Sequence, residues 1–177
     1  MLVFESNSFG NHRGYSLIEL VITIVLTSIV VVVFLTLFSS IQRSSVEPVF
    51  QIKAAELGQA VLEEISLKNF DENSPAGNAR RCNDSGAPSC TSTPGPDSGE
   101  TRETYDDIDD YHGINQSPPE DALGNPQIGY ASYSLSVAVN YAGDDLALPT
   151  QSIKRIQVTI TAPDNTQYIF SEYKGNY

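Results

Sequence analysis

Positive charge is scarce in this chain. Ten Lys and Arg stand against 22 Asp and Glu, a formal net charge of −12 over 177 residues. Nucleic acid and anionic lipid surfaces are both held through Lys and Arg, so neither is expected as a partner. Histidine is limited to His12 and His112. His112 with Asp109 or Asp110 can mimic two members of a hydrolase triad. No Gly-x-Ser-x-Gly elbow and no glycine-rich phosphate loop accompanies it. A surface or loop-packing histidine is the simpler reading, and no enzymatic role is expected. Cysteine is limited to Cys82 and Cys90. Two thiols without a nearby histidine are too few for a zinc site. An even count suggests one disulfide between them if the domain that carries them stands outside the cytoplasm.

What the chain does have is one long apolar run. From Leu20 to Phe38 only Thr23, Thr27, Ser28 and Thr36 interrupt it. At ~1.5 Å per residue this run spans roughly 28 Å as a helix, close to one hydrocarbon core. The β-branched stretch Val30 to Val33 would favour a strand in water. In lipid a lone strand leaves its backbone groups unpaired, so the run predicts a membrane helix. Glu19 stands at its start, although a charge carried to the bilayer centre costs about 2.5–3.5 kcal/mol. Arg13 before the run and Arg43 after it leave orientation open. The preceding segment is polar and ends His12-Arg13-Gly14, without the apolar core and Ala-x-Ala site of a secretory signal.

Gly14-Tyr15-Ser16-Leu17-Ile18-Glu19 followed by this run resembles the type IV prepilins and pseudopilins. In that family the leader ends in Gly, cleavage precedes an aromatic residue, and Glu lies five residues into the mature chain. Gly14, Tyr15 and Glu19 match those positions, with Tyr15 where Phe is usual and a somewhat long leader. The resemblance implies cleavage between Gly14 and Tyr15 by a prepilin peptidase/methyltransferase and N-methylation at Tyr15. It also implies an assembly role for Glu19. The implied partners are other pilins, met through the N-terminal helix, and an inner-membrane assembly platform. The implied location is the bacterial inner membrane, single-pass with a periplasmic C-terminal domain, then the pilus at the cell surface.

Beyond residues 1–14 (leader) and 15–38 (membrane and assembly helix), residues 39–68 read as an amphipathic continuation. Phe50, Ala54, Leu57, Val61 and Ile65 form one stripe at three- and four-residue steps, with Glu56, Gln59, Glu63 and Lys68 opposite. Pro48 is expected to kink this helix. Gly58 is expected to cost it about 1 kcal/mol relative to Ala. Residues 69–128 are rich in Asn, Asp, Ser, Gly and Pro and read as a long acidic loop tethered by the disulfide, holding twelve Asp and Glu against three Arg. Ile108, Tyr111 and Ile114 are its candidates for local docking. Residues 129–177 read as an antiparallel meander. Tyr133, Leu135, Val137, Val139 and Tyr141 alternate with polar or small residues, Ile156, Val158 and Ile160 share a face of a second strand, and Gln167 to Tyr173 form a third after the Pro163-Asp164-Asn165 turn. Only the Phe50–Ile65 stripe is available to cover the sheet. The expected fold is α+β: a long N-terminal helix, its first half transmembrane, packed on about three antiparallel strands, with a long αβ-loop. This order also resembles the pilin fold.

Asp106, Asp107, Asp109 and Asp110, with Glu100 and Glu103 upstream, are the densest acidic group. Hard oxygen ligands in a loop can hold Ca²⁺, although the spacing is not that of an EF-hand. A solvated acidic loop is the alternative. Some pseudopilins hold calcium in sheet-side loops, which the resemblance carries to this position as an expectation. The eight tyrosines after residue 100 read as core or cross-strand partners more than as a binding surface. The blocks Ser45-Val46-Glu47-Pro48-Val49, Ala54-Ala55-Glu56-Leu57-Gly58-Gln59, Phe70-Asp71-Glu72-Asn73 and Asp109-Asp110-Tyr111-His112-Gly113 resemble minor pilins of the mannose-sensitive haemagglutinin pilus. That resemblance implies a low-abundance structural subunit used in assembly or at the tip. A type II secretion pseudopilin and a membrane-anchored periplasmic binding or enzymatic domain are the competing readings.

Overall fold

The computed structural model describes residue 14, residues 16–74 and residues 80–177, without the side chains of residues 40–47. The expected leader and Tyr15 lie outside the described residues. The chain divides into two compact units, residues 1–46 and 47–177. One helix, α1 (Leu17–Ser66), supplies the apolar segment of the first unit and opens the second.

In the first unit, Leu17–Ser39 is long and apolar enough to cross a membrane, and none of it is buried against protein. Its few polar side chains turn back on the helix. The Thr23 hydroxyl donates to the Leu20 carbonyl, Thr27 to Thr23, Ser28 to Val25, Thr36 to Val33 and Ser39 to Leu35, at 2.6–2.8 Å. Each hydroxyl is therefore satisfied within the helix, as a segment facing lipid requires.

In the second unit, α1 continues past Pro48 and buries the expected stripe. Ala54, Leu57, Val61 and Ile65 enter one core with Leu135, Val137, Val139, Ile156, Val158 and Ile160. The sheet has four antiparallel strands in chain order: β1 (Asn115–Gln116), β2 (Ser134–Tyr141), β3 (Ile153–Thr161) and β4 (Gln167–Gly175). The meander expected from alternation is β2 to β4. In β2–β3 the register sets Leu135 opposite Ile160 and Val139 opposite Ile156. Two-residue periodicity therefore delivers one continuous apolar face to the helix. The added strand β1 is only two residues long and pairs with β2, too short to leave a period in the sequence. The segment near Gly129, where sheet was expected to begin, is a 3₁₀ turn (Ile128–Tyr130). Tyr130 there packs edge-on against Tyr133.

Gly58 stands where α1 passes over β4. A Cβ at this position would lie 2.4 Å from the Phe170 ring. The propensity cost of a mid-helix glycine therefore permits close approach between helix and sheet. At the end of α1 no basic residue occupies the last turn. Lys174 of β4 supplies the cation from across the fold, donating to the Ser66 carbonyl at 2.7 Å and to the Lys68 carbonyl. This meets unpaired carbonyls and the negative end of the helix dipole together.

Candidate functional site

The N-terminal residues are simply placed. Gly14 is exposed, with open space where a side chain would project. Glu19 lies in the first turn of α1 and is exposed. A carboxylate there faces the positive end of the helix dipole.

The acidic loop is built into the core. The chain leaving α1 meets it directly: Asn69 N–H donates to the Asp106 carbonyl and Ile108 N–H to the Asn69 carbonyl. Ile108 and Tyr111, expected to dock locally, are fully buried. Ile114 packs against the same core. Three of the four aspartates are buried as well. Asp110 Oδ2 accepts from the backbone N–H groups of Asp106 and Asp107, and Asp107 Oδ1 accepts from Asp109 N–H. Carboxylates accepting backbone donors order this turn from within. Burial, reinforced by the charges of Asp110 and Asp109, pushes the Asp107 carboxyl up to about 7. Burial pushes Asp109 up to about 6 against the pull of Lys154.

The four aspartates do not converge on one point. Asp109 turns toward Lys154. Ligand-type oxygens within 4.8 Å of one another occur instead in two triplets, Glu100–Asp106–Asp110 and Glu72–Asp106–Asp107. Burial and a hydrogen bond with Asp110 push Glu100 up to about 7.

Lys154 is the principal residue that sequence reading passed over. On β3 it shares parity with Ile156, Val158 and Ile160, and its side chain is fully buried. Nζ donates to the Phe70 carbonyl at 2.7 Å, to Asp71 Oδ2 at 3.1 Å and to Asp109 Oδ2 at 2.6 Å. It also lies 4.4 Å from the Phe70 ring centre and 5.0 Å from that of Tyr141. Asp71 is anchored in turn, accepting from the N–H groups of Asn73 and Thr91. The one available signal was parity: a lysine falls at an inward position of an otherwise apolar alternation.

A second clamp joins the loop to α1. Arg102 donates from NH2 to Glu64 Oε2 at 2.9 Å, and its NH1 lies in ion-pair contact with Oε1 at 2.8 Å. The Tyr111 hydroxyl donates to Glu64 Oε1 at 2.9 Å. The Arg102 guanidinium lies 4.6 Å from the Tyr111 ring centre.

Cys82 and Cys90 are disulfide-bonded, as the even count suggested, and both are buried. Asn176, beyond β4, donates to the Cys82 carbonyl and accepts from the Ser74 hydroxyl. Beside it lies a polar cleft of about 420 Å³, lined in part by Asn83, Thr150, Gln151 and Asn176. His112 accepts from Val139 N–H at Nδ1, which uses it to hold the loop against β2.

An apolar N-terminal helix followed along the chain by a small four-stranded antiparallel sheet is an α+β arrangement consistent with a pilin fold. The family model described as the prokaryotic N-terminal methylation motif matches residues 10–35. This match supports a type IV pilin-like or pseudopilin subunit, a structural protein that a prepilin peptidase processes and that assembles with other pilins. Together with the apolar helix it supports anchoring in a membrane. No curated protein and no solved structure matches the chain.

Proposed function

We propose that this chain is a minor pilin of a type IV pilus of the mannose-sensitive haemagglutinin kind, an MshD-type subunit acting in assembly or at the tip. The observation that carries the pilin-like part is the methylation motif over residues 10–35, continuous with an apolar span at Leu17–Ser39 and with Glu19 in its first helical turn. The minor-pilin part rests on the sequence blocks between Ser45 and Gly113. In this reading the leader is removed after Gly14 and the Tyr15 amine is methylated. The helix anchors the precursor in the inner membrane with residues 47–177 in the periplasm. Glu19 then pairs with the Tyr15 amine of a neighbouring subunit, because a carboxylate leaving the headgroup region needs a cation at its own depth. The experiment is N-terminal sequencing with intact mass of the protein from the membrane fraction. A chain starting at methylated Tyr15 supports the reading, and an intact leader in cells making active peptidase overturns it.

The Glu100–Asp106–Asp110 oxygens favour a second reading, a type II secretion pseudopilin whose loop takes Ca²⁺. A gene deletion separates the two. Loss of surface filaments with secretion intact belongs to the first, and loss of secretion to the second. Calcium that raises the melting temperature above that in chelator, where magnesium does not, supports the loop site.

A further inference from the structure

From Lys154 onward β3 alternates, and its inward positions are Lys154, Ile156, Val158 and Ile160. An amine at such a position normally reaches for water. Here it cannot, because the Lys154 and Asp71 side chains are fully buried and that of Asp109 is 2% exposed. Two carboxylates thus share one amine inside the core, and the group carries an excess negative charge if both ionise. One proton on the Asp109 carboxyl leaves the buried group neutral, with the Lys154 ammonium facing the Asp71 carboxylate. The second Asp109 oxygen, Oδ1, is buried without a hydrogen-bond partner. The Phe70 and Tyr141 rings lie alongside the amine. The three side chains come from β3, from the turn after α1 and from the 3₁₀ turn Asp109–Tyr111, and each is held in place by its own element.

We propose that Lys154 and Asp109 condense in the folded protein to an intramolecular amide, with Asp71 as the proton relay. Nζ and Asp109 Oδ2 already stand 2.6 Å apart, with Asp71 Oδ2 at 3.1 Å from the same nitrogen. Asp71 takes one proton from the ammonium, and the freed lone pair attacks Asp109 Cγ. The Nζ–Cγ bond forms and the Cγ–Oδ2 bond breaks. Asp71 hands that proton to the departing oxygen, which leaves as water with the proton that Asp109 already carried, and Asp71 then takes and keeps a second Nζ proton. The third proton stays on the amide nitrogen, within reach of the Phe70 carbonyl. Oδ1 remains as the amide oxygen. Ammonium, the Asp71 carboxylate and the Asp109 acid become amide, water and a neutral Asp71, so no oxidant, cofactor or activating group is needed. Fixed proximity supplies the encounter that free amines and acids lack. Exchanging a buried ion pair for a neutral amide removes the cost of holding the charges out of water, and the released water is lost to solvent.

The consequence is a second covalent tie. The disulfide closes the segment between Cys82 and Cys90, and the amide would staple the acidic loop to the middle of the sheet, 45 positions further along the chain. This inference does not depend on the pilin reading, because only residues of the 47–177 unit take part.

The test is mass spectrometry on the full-length chain purified from membranes. The expected intact mass falls one water below that of the processed, disulfide-bonded sequence. Digestion should yield a branched peptide joining the segments around Asp109 and Lys154. Acylation of the denatured protein should modify the other lysines and leave Lys154 unmodified. Asp109→Asn should expel ammonia instead of water and arrive at the same product mass as the wild type. Asp71→Asn should accumulate at its full, unlinked mass, and linkage as complete as in the wild type would overturn the relay role of Asp71. Wild-type protein at its full mass, with Lys154 acylated after denaturation, overturns the proposal, and that measurement requires no variant to fold.

Discussion

Glu19 stands in the first turn of α1, exposed and without a role in any core. Its replacement should therefore leave the fold of residues 47–177 untouched. Under the proposed function, Glu19→Val is inserted and processed normally but enters filaments far less than the wild type, as measured by its share in sheared filaments. Normal incorporation would remove Glu19 from assembly. Gly58 presents the opposite case, a residue whose importance is structural. Helix propensity alone expects Gly58→Ala to stabilise by about 1 kcal/mol. The Phe170 ring flank, 2.4 Å from the new methyl, reverses the sign. Gly58→Ala should destabilise by about 1–3 kcal/mol through overpacking, read as a lower denaturation midpoint at unchanged slope.

At the scale of elements, the acidic loop is held by what it touches on the helix and sheet. Glu64 is the anchor on α1, taking a hydrogen-bonded ion pair from Arg102 and a hydrogen bond from the Tyr111 hydroxyl. Glu64→Gln keeps the shape and removes the charge. Since hydrogen bonds to a charged group contribute about 1.5–3 kcal/mol, the variant should lose stability of that order. Amide exchange should rise first around Arg102 to Tyr111, before it rises in β2 and β3. Uniform loosening of the sheet would show that the clamp is not a local device. The end of α1 is held the same way, with Lys174 from β4 supplying the cation that the last helical turn lacks.

Across the whole molecule, charge burial sets the response to pH. Asp107 and Glu100, neither of them part of the Lys154 linkage, are both pushed up to about 7 from ordinary values of 3.8 and 4.5. Asp110 crowds both of them, and Asp106 crowds Glu100 as well. Between the ordinary carboxylate range and about 7 the folded state holds protons that the unfolded chain has released. Their contribution to stability is present in full below the unfolded values and is lost as pH rises through about 7. The detergent-solubilised chain should therefore melt at a higher temperature near pH 5 than near pH 8 in chelator, followed by tyrosine fluorescence. A melting temperature that rises over that range would contradict it.

Periodicity made much of this fold legible. The apolar run, the stripe from Phe50 to Ile65 and the alternation of β2 and β3 each arise among near neighbours in the chain. Transfer from water and backbone pairing act on such patterns directly. The cysteine pair and the N-terminal motif were equally local. By itself, then, the sequence determined a membrane-compatible helix, the order of helix, loop and meander, and the strand faces that turn inward. Only the tertiary structure decided which acids leave water. Lys154 finds Asp71 83 positions away and Asp109 45 away, and Arg102 finds Glu64 across 38. Gly58 likewise reads as a defect until Phe170 is brought against it. A residue's preference for lipid, core or water is written in its own chemistry and short-range spacing. The partner that makes a buried charge tolerable depends on where a long loop returns, and no local pattern carries that.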